Sequence, residues 1–485
     1  MILRAAQKGS ITVYLSLTLL VMLSLISAGF YGARQAAGRV ILASGTEQAL
    51  FSLFGQYDRE LFEHYGLLFL DGGYGRDRLL GASLLAEVED AAGYVLDPGK
   101  GLLFSGRDPV GVRLQEQGSA ITGMVLATDD RGCAFRRQVC SIAQKQLGPA
   151  GLLFLNASLS DQERLIRKQQ AERNAYPQWD GRDVYEAVSL PVSKEGEEQV
   201  EFPDLVNPLE PVRRMRAAGV LSMVIPAAEK LSAAALDPGE VVSGRDLQQG
   251  MNLPADSWQG SGEKILMMRY LKRLFPCYAS PGEGDGLRYQ VEYAIAGKET
   301  DVLNLQEVLR KLLMIREAAN FLHILRDPVL KGEADTLANG LSLLILQPEA
   351  APAIALAIEA AWAYGESIVD LQILVDGGKV PVIKDAASWQ LPLGSLAFLR
   401  SLSPAGREGS GQGLDYSGWL DLLLLMKSEE ELTSALMDLV EWNMRTERGR
   451  SGFRLDCCVD ALRVELSATV GRHEYRIERS YGYNA

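Results

Sequence analysis

Between Ile11 and Phe30 the chain carries no charged side chain. As a helix rising ~1.5 Å per residue, that run of about 20 residues matches a hydrocarbon core ~30 Å thick. Arg4 and Lys8 precede it, and no Asp or Glu occurs before Glu47. Such a segment cannot be left in water, so it must be held in lipid or removed. A cleaved secretory signal is the competing reading, because Arg4 and Lys8 form a basic start and Ser27-Ala28-Gly29 offers small residues for a peptidase. Against it, the apolar run exceeds the ~7–15 residues of a signal core and continues into helix without a turn-forming stretch. The short basic end is the natural cytoplasmic one, although Arg34 and Arg39 on the far side nearly balance it. The bulk of the chain is therefore expected outside the cytoplasm.

The region from Met1 to Tyr65 reads as a transmembrane helix and stalk, with membrane lipid as the partner of residues 11–30. Unbroken from Ile11 to Tyr65, it would reach roughly 80 Å. Ser24, Ala28, Gly32 and Ala36 recur every fourth residue, a small-residue seam that would let another helix approach closely. Farther on, Leu50, Leu53, Phe54, Tyr57, Leu61 and Tyr65 follow amphipathic spacing, with Gln56, Asp58, Arg59 and Glu60 left for water.

The chain's net charge is −13. Its first 40 residues hold Arg4, Lys8, Arg34 and Arg39 and no carboxylate, which leaves 45 basic against 62 acidic residues, a net −17, for the rest. A body so acidic repels phosphate backbones, so nucleic acid is not an expected partner. The five cysteines are odd in number and the chain is too large to need staples. Cys133 and Cys140, in a helical pattern, would lie ~10 Å apart, beyond bridging distance. Free buried thiols are expected.

The remaining pattern predicts an α+β head with helices in the majority. Residues 66–175 form a first head region, with helices at Arg76–Tyr94, Arg131–Leu147 and Ser160–Asn174 and strand candidates at Leu102–Phe104 and Val110–Leu114. Residues 176–211, with Pro177, Pro191, Pro203, Pro208 and Pro211, read as a linker or an excursion within one domain. Residues 212–485 form a second region. There Leu287, Tyr289, Val291, Tyr293 and Ile295 alternate as a strand, Thr300 or Asp301 caps a helix, and a further helix covers about Ala350–Leu374. Asp376-Gly377-Gly378 reads as a hairpin turn between Ile373–Val375 and Val380–Ile383. Glu429–Arg445 is helical, and Leu462–Leu466 with Tyr475–Ile477 reads as a hairpin about Gly471.

No catalytic, cofactor or metal constellation is legible. His64, His323 and His473 each sit where a structural histidine is expected, and no GxSxG elbow, HExxH helix, phosphate loop or zinc spacing occurs. The glycine loops Gly282–Gly286 and Gly409–Gly413 lack the strand-to-helix context of phosphate loops and the ligands of a calcium loop.

Lys8-Gly9-Ser10-Ile11-Thr12-Val13-Tyr14-Leu15-Ser16-Leu17 resembles the opening of TadE and TadG type minor pseudopilins of tight-adherence (Flp) pilus systems. In that resemblance processing would fall at Gly9. Pilin-like openings usually carry Glu five residues after the glycine, whereas this chain has Tyr14. The remainder resembles an uncharacterised Gram-positive bacterial family, a domain of unknown function associated with such pilus-like clusters. The stretches that carry it are Tyr57–Leu61 with Tyr65–Asp71, Asn207–Glu210, Leu287–Asn320 and Val375–Trp389. The resemblance implies a single-pass, surface-exposed structural or assembly component of a pilus-like apparatus. Its implied partners are other pilus-like subunits, platform membrane proteins or further copies of itself; the small-residue seam, the continuous stalk and the absence of a catalytic signature make non-catalytic action the expectation. The alternative is an anchored cell-surface enzyme or ligand-binding receptor whose site leaves no sequence signature.

Overall fold

The computed structural model describes residues 5–96, 110–174, 209–225, 231–396 and 413–483. It is α+β, with helices in the majority and one antiparallel sheet, as expected from the sequence. The chain divides into two compact units, the first comprising Met1–Gln138, Asp246–Trp258 and Arg450–Ala485, the second Val139–Arg245 and Gln259–Gly449. The proline-rich stretch 176–211 lies outside the described residues as far as Pro208, as do Leu102–Phe104 and most of the Gly409–Gly413 loop.

The first unit is a helix laid on a sheet. Helix α1 (Ala5–Phe54) is followed by α2 (Arg59–Tyr65), β1 (Leu70–Asp71), α3 (Gly81–Leu96) and β2 (Val112–Leu126). Strands β3 (Cys458–Val470) and β4 (His473–Gly482) come from the far end of the chain. Central β3 pairs with β2 from Val112↔Val470 to Leu126↔Val459, with β4 from Val470↔His473 to Ala461↔Gly482, and with β1 at Leu70↔Val459. The β3–β4 connection is a two-residue turn in which Gly471 takes φ 67°, the sign that primed hairpin turns require. The hairpin about Gly471 is thus as the sequence predicts. Along β3, Leu462, Val464, Leu466, Ala468 and Val470 are buried while Arg463 and Glu465 face out. Leu462, Val464 and Leu466 meet Ala49, Leu50, Leu53 and Phe54 of α1 and Leu84, Val88 and Ala92 of α3, while Ala468 and Val470 cluster with Leu42 and Leu96.

The helix from Ile11 does not run unbroken to Tyr65, so the ~80 Å stalk is corrected. It ends at Phe54, and Asp58 starts α2 by accepting from the Leu61 amide at 3.0 Å. Asp58 is itself buried and paired with Arg450, which also bonds Asp71 at 2.9 Å. An ion pair to a distant part of the chain thus accompanies the break. The two helices expected within 131–174 are one, Asp129–Asn174.

The second unit is a helical assembly around two long helices, Asp301–Arg326 and Ala351–Val375. Thr300 caps the first, accepting from Leu303 N, and Pro328 opens the next helix, Pro328–Leu344. Ser428 and Glu431 form a capping box at the start of Glu429–Thr446.

Two strand expectations are overturned here. The alternating stretch Leu287–Ile295 holds a helix, Gln290–Ala296, ended by Gly297 at φ 64°. Its polar residues do not face water: Gln290 bonds Asn443, and Glu292 has no exposed surface. A helix buried all round has no solvent stripe, so its 3.6-residue period is invisible and an accidental period of two reads as a strand. Likewise, Ile373–Val375 is the last turn of Ala351–Val375, and Gly377 at φ 87° terminates it while the Gly378 amide donates to Ile373 O at 2.7 Å. A left-handed glycine serves a helix end as readily as a hairpin, which is why the Asp-Gly-Gly signal misled.

Candidate functional site

Helix α1 has two halves with different surroundings. From Ile11 to Arg34 its described side chains are almost all exposed, Leu25 at 72% and Phe30 at 74%. From Gln35 onward a buried residue recurs every three or four positions: Gln35, Gly38, Leu42, Gly45, Thr46, Ala49, Leu50, Leu53 and Phe54. Burying Leu42, Leu50, Leu53 and Phe54 contributes roughly 6–12 kcal/mol gross. The apolar first half has no such seat within the first unit. This is the one helix among the described residues long and apolar enough to cross a membrane.

The glycines divide the same way. A Cβ built at Gly38 would lie 2.6 Å and 2.7 Å from the two Val470 methyls, and one at Gly45 3.0 Å from Leu96, so these glycines let α1 sit down on its own unit. A Cβ on Gly29 or Gly32 would meet nothing within 4 Å. Ser24, Ala28, Gly32 and Ala36 all lie exposed on α1, with the Ser24 hydroxyl donating to Val21 O at 2.8 Å, and Gly9 lies in the same helix. The spacing of four residues at ~100° each turns this seam by ~40° per step, so it winds slowly around the helix.

Where the two halves meet, polar side chains tie α1 to the sheet. Gln35 donates from Nε2 to Val470 O at 3.2 Å and accepts from the Tyr475 hydroxyl at 2.8 Å. Arg34 donates from Nε to Val110 O at 2.8 Å, the Arg39 guanidinium lies 4.6 Å from the centre of the Tyr475 ring, and the Tyr31 and His473 rings stand edge to face at 5.8 Å.

The second unit holds the densest charge. Arg316, Asp370, Glu366 and Lys384 are all buried. The Asp370 carboxylate accepts from Arg316 Nε at 3.0 Å, Asn320 Nδ2 at 3.0 Å and Lys384 Nζ at 2.7 Å. Lys384 also reaches Glu366 at 2.5 Å, and Glu366 accepts from the Gln390 and Leu391 amides at 3.0 and 2.8 Å. Two cations and two carboxylates thus neutralise each other inside the protein. Burial pushes Glu366 up to about 7 against the pull of Lys384, while Asp370 is held below the ordinary range, the charges of Arg316 and Lys384 outweighing its burial. The set clamps both long helices to the 380–391 segment, its further hydrogen bonds going to the Pro381 and Val382 carbonyls and the Gln390 and Leu391 amides.

A second buried carboxyl is less completely satisfied. Glu292 Oε1 accepts from the Tyr278 amide and the Tyr416 hydroxyl, each at 2.9 Å, while Oε2 has no partner among the described residues. Burial pushes its pKa up to about 7. Such a group can hold a proton at neutral pH, but it has no accessible surface through which a substrate could meet it. His323 lies against Trp389 with ring centres 5.5 Å apart, and burial lowers its pKa. His64 lies in the last turn of α2, and His473 opens β4. Cys133, Cys140, Cys457 and Cys458 are buried and Cys277 is half-buried, none of them in a disulfide. Among the described residues no three His, Cys, Asp or Glu side chains converge as a metal site would require.

Sequence reasoning did not single out the buried ionic set as a cluster. Its signal was present as carboxylates inside apolar helical runs, at Glu359, Glu366 and Asp370. Arg316, Asn320 and Glu292 lie in the stretches that carry the family resemblance, and each is now seen to be a buried polar anchor.

Fold and surface together define an α+β protein with, among the described residues, one N-terminal helix fit to cross a membrane and a body that holds buried ion pairs. The chain belongs to the family of unknown function DUF5702, which matches residues 196–470. No curated protein and no solved structure matches it.

Proposed function

We propose that this chain is a membrane-anchored, surface-exposed structural or assembly component of a pilus-like, tight-adherence type apparatus, acting through protein–protein contacts without catalysis. One observation carries the reading: the apolar helix and the core of the first unit are the same helix. A cleavable leader ordinarily meets the mature fold through a short stretch open to the peptidase, whereas here Ser27, Ala28 and Gly29 lie inside an unbroken helix whose continuation carries Leu42, Leu50, Leu53 and Phe54 into the core. A lipid-held helix that continues outward into a globular head is what the resemblance of Lys8–Leu17 to TadE and TadG type openings implies. The open seam Ser24, Ala28, Gly32 and Ala36 supplies a face for helix–helix contact in the bilayer. The mutual satisfaction of the buried charges supports a scaffold rather than an acid–base site. Affinity isolation of the tagged full chain from its native membrane, at native expression, is expected to recover pilus subunits or platform proteins. Recovery of none would overturn the proposal.

A further inference from the structure

Helix α1 and strand β4 run side by side in the same direction. Tyr31 meets His473, Gln35 bonds Tyr475, Glu47 pairs with Arg479 at 2.7 Å, and Phe54 packs on Tyr483 with ring centres 5.0 Å apart. The β3–β4 turn, Gly471-Arg472, therefore sits at the level where α1 leaves its apolar run, and so does the start of β2, since Val112 pairs with Val470. If Ile11–Phe30 fills the hydrocarbon core, Tyr31 to Arg34 lie within ~6 Å of its edge, inside the headgroup layer. No free stalk separates the first unit from the bilayer.

The residues at this level have the chemistry of that layer. Arg34, Arg39, Arg113 and Arg472 are exposed, and His473 is exposed beside them. Tyr31 and Tyr475 supply rings that suit an interface with one apolar and one wet side. The nearest carboxylate on β4, Glu474, is already engaged by Arg476 at 3.4 Å, and the first on α1, Glu47, is ~20 Å beyond Arg34. In a chain whose net charge is −13, the described residues of this end are locally cationic.

From this juxtaposition we infer that the β3–β4 turn, with Arg34, Arg39, Arg113 and Arg472, is a seat for the phosphate groups of anionic lipids in the same bilayer that holds α1. The inference rests on the anchoring reading and goes beyond it. It places one end of the sheet in contact with headgroups and gives the protein a preference among lipids, about fivefold per arginine at the surface.

The test uses the full chain in vesicles containing a nickel-chelating lipid, with Cys277→Ser so that the native cysteines still present among the described residues are buried ones. Spin labels are placed singly through Arg472→Cys, Glu478→Cys and Leu20→Cys. Relaxation by headgroup nickel is expected to be strong at position 472 and weak at 478, which lies ~20 Å farther along β4. Dissolved oxygen is expected to relax position 20 as in a bilayer interior. A position 20 label outside lipid would defeat the anchoring reading. A position 20 label in lipid with 472 as remote from nickel as 478 would overturn the seat alone. In a second measurement, spin-labelled phosphatidylglycerol is expected to relax a probe at Glu474→Cys several-fold more than spin-labelled phosphatidylcholine at equal mole fraction. The excess should fall in Arg39→Gln/Arg472→Gln, which leaves Arg34 and Arg113 in the seat. Equal relaxation by the two lipids would overturn the anionic preference.

Discussion

Removing the Asp370 carboxylate should be among the most damaging single changes in the second unit. In Asp370→Ala, Arg316 and Lys384 lose the acceptor they share, leaving two buried cations against the one carboxylate of Glu366. Arg316 keeps Pro381 O at 2.7 Å and Val382 O at 3.3 Å, and the Trp419 ring at 5.4 Å, so its charge is eased but not neutralised. Breaking one partner of a buried pair costs about 3–5 kcal/mol, a large share of the ~5–15 kcal/mol that holds a domain together. With m near 2 kcal/mol per molar urea, the unfolding midpoint should fall by about 2 M. Tryptophan fluorescence reports the transition, because Trp362, Trp389, Trp419 and Trp442 all lie in this unit. The double variant Arg316→Met/Asp370→Ala restores charge balance with Lys384 and Glu366 still paired. Its loss should be smaller than the sum of the two single losses by more than ~1 kcal/mol. A midpoint shift under 0.5 M for Asp370→Ala (~1 kcal/mol at that slope), or strictly additive single variants, would refute the view that these four charges act as one neutral set.

Further expectations follow from other parts of the fold. Glu292 is raised to about 7 by burial, so its folded state holds a proton that the unfolded chain gives up above its ordinary 4.5. Its contribution must therefore fall as pH rises between those two values. Glu292→Gln should remove that fall, so the melting temperature of the variant relative to the parent should climb from pH 5 to pH 8, and a constant difference would exclude the assignment. Gly38→Leu should loosen α1 from β3, costing ~1–3 kcal/mol by overpacking against Val470, whereas Gly32→Leu, which meets nothing, should leave melting of the first unit unchanged in detergent. Ser428→Ala should cost ~1 kcal/mol by removing the cap of Glu429–Thr446, read as a lowered urea midpoint.

The sequence alone was enough for features that depend on local pattern. The apolar run Ile11–Phe30, the helix capped at Thr300, the helix from Glu429 and the hairpin about Gly471 each announce themselves within a few residues, because lipid span, cap chemistry and the periods of burial are written in neighbouring side chains. What required the tertiary structure was whatever depends on distant partners. Gln290–Ala296 is a helix because Glu292 and Gln290 find Tyr416 and Asn443 far along the chain, and α1 stops where Asp58 meets Arg450. The division of α1 into a free half and a seated half is likewise decided by Val470 and its neighbours, more than 400 residues away in sequence. Burying a charge or closing a glycine contact is favourable only once the partner is in place, and no local pattern contains that partner.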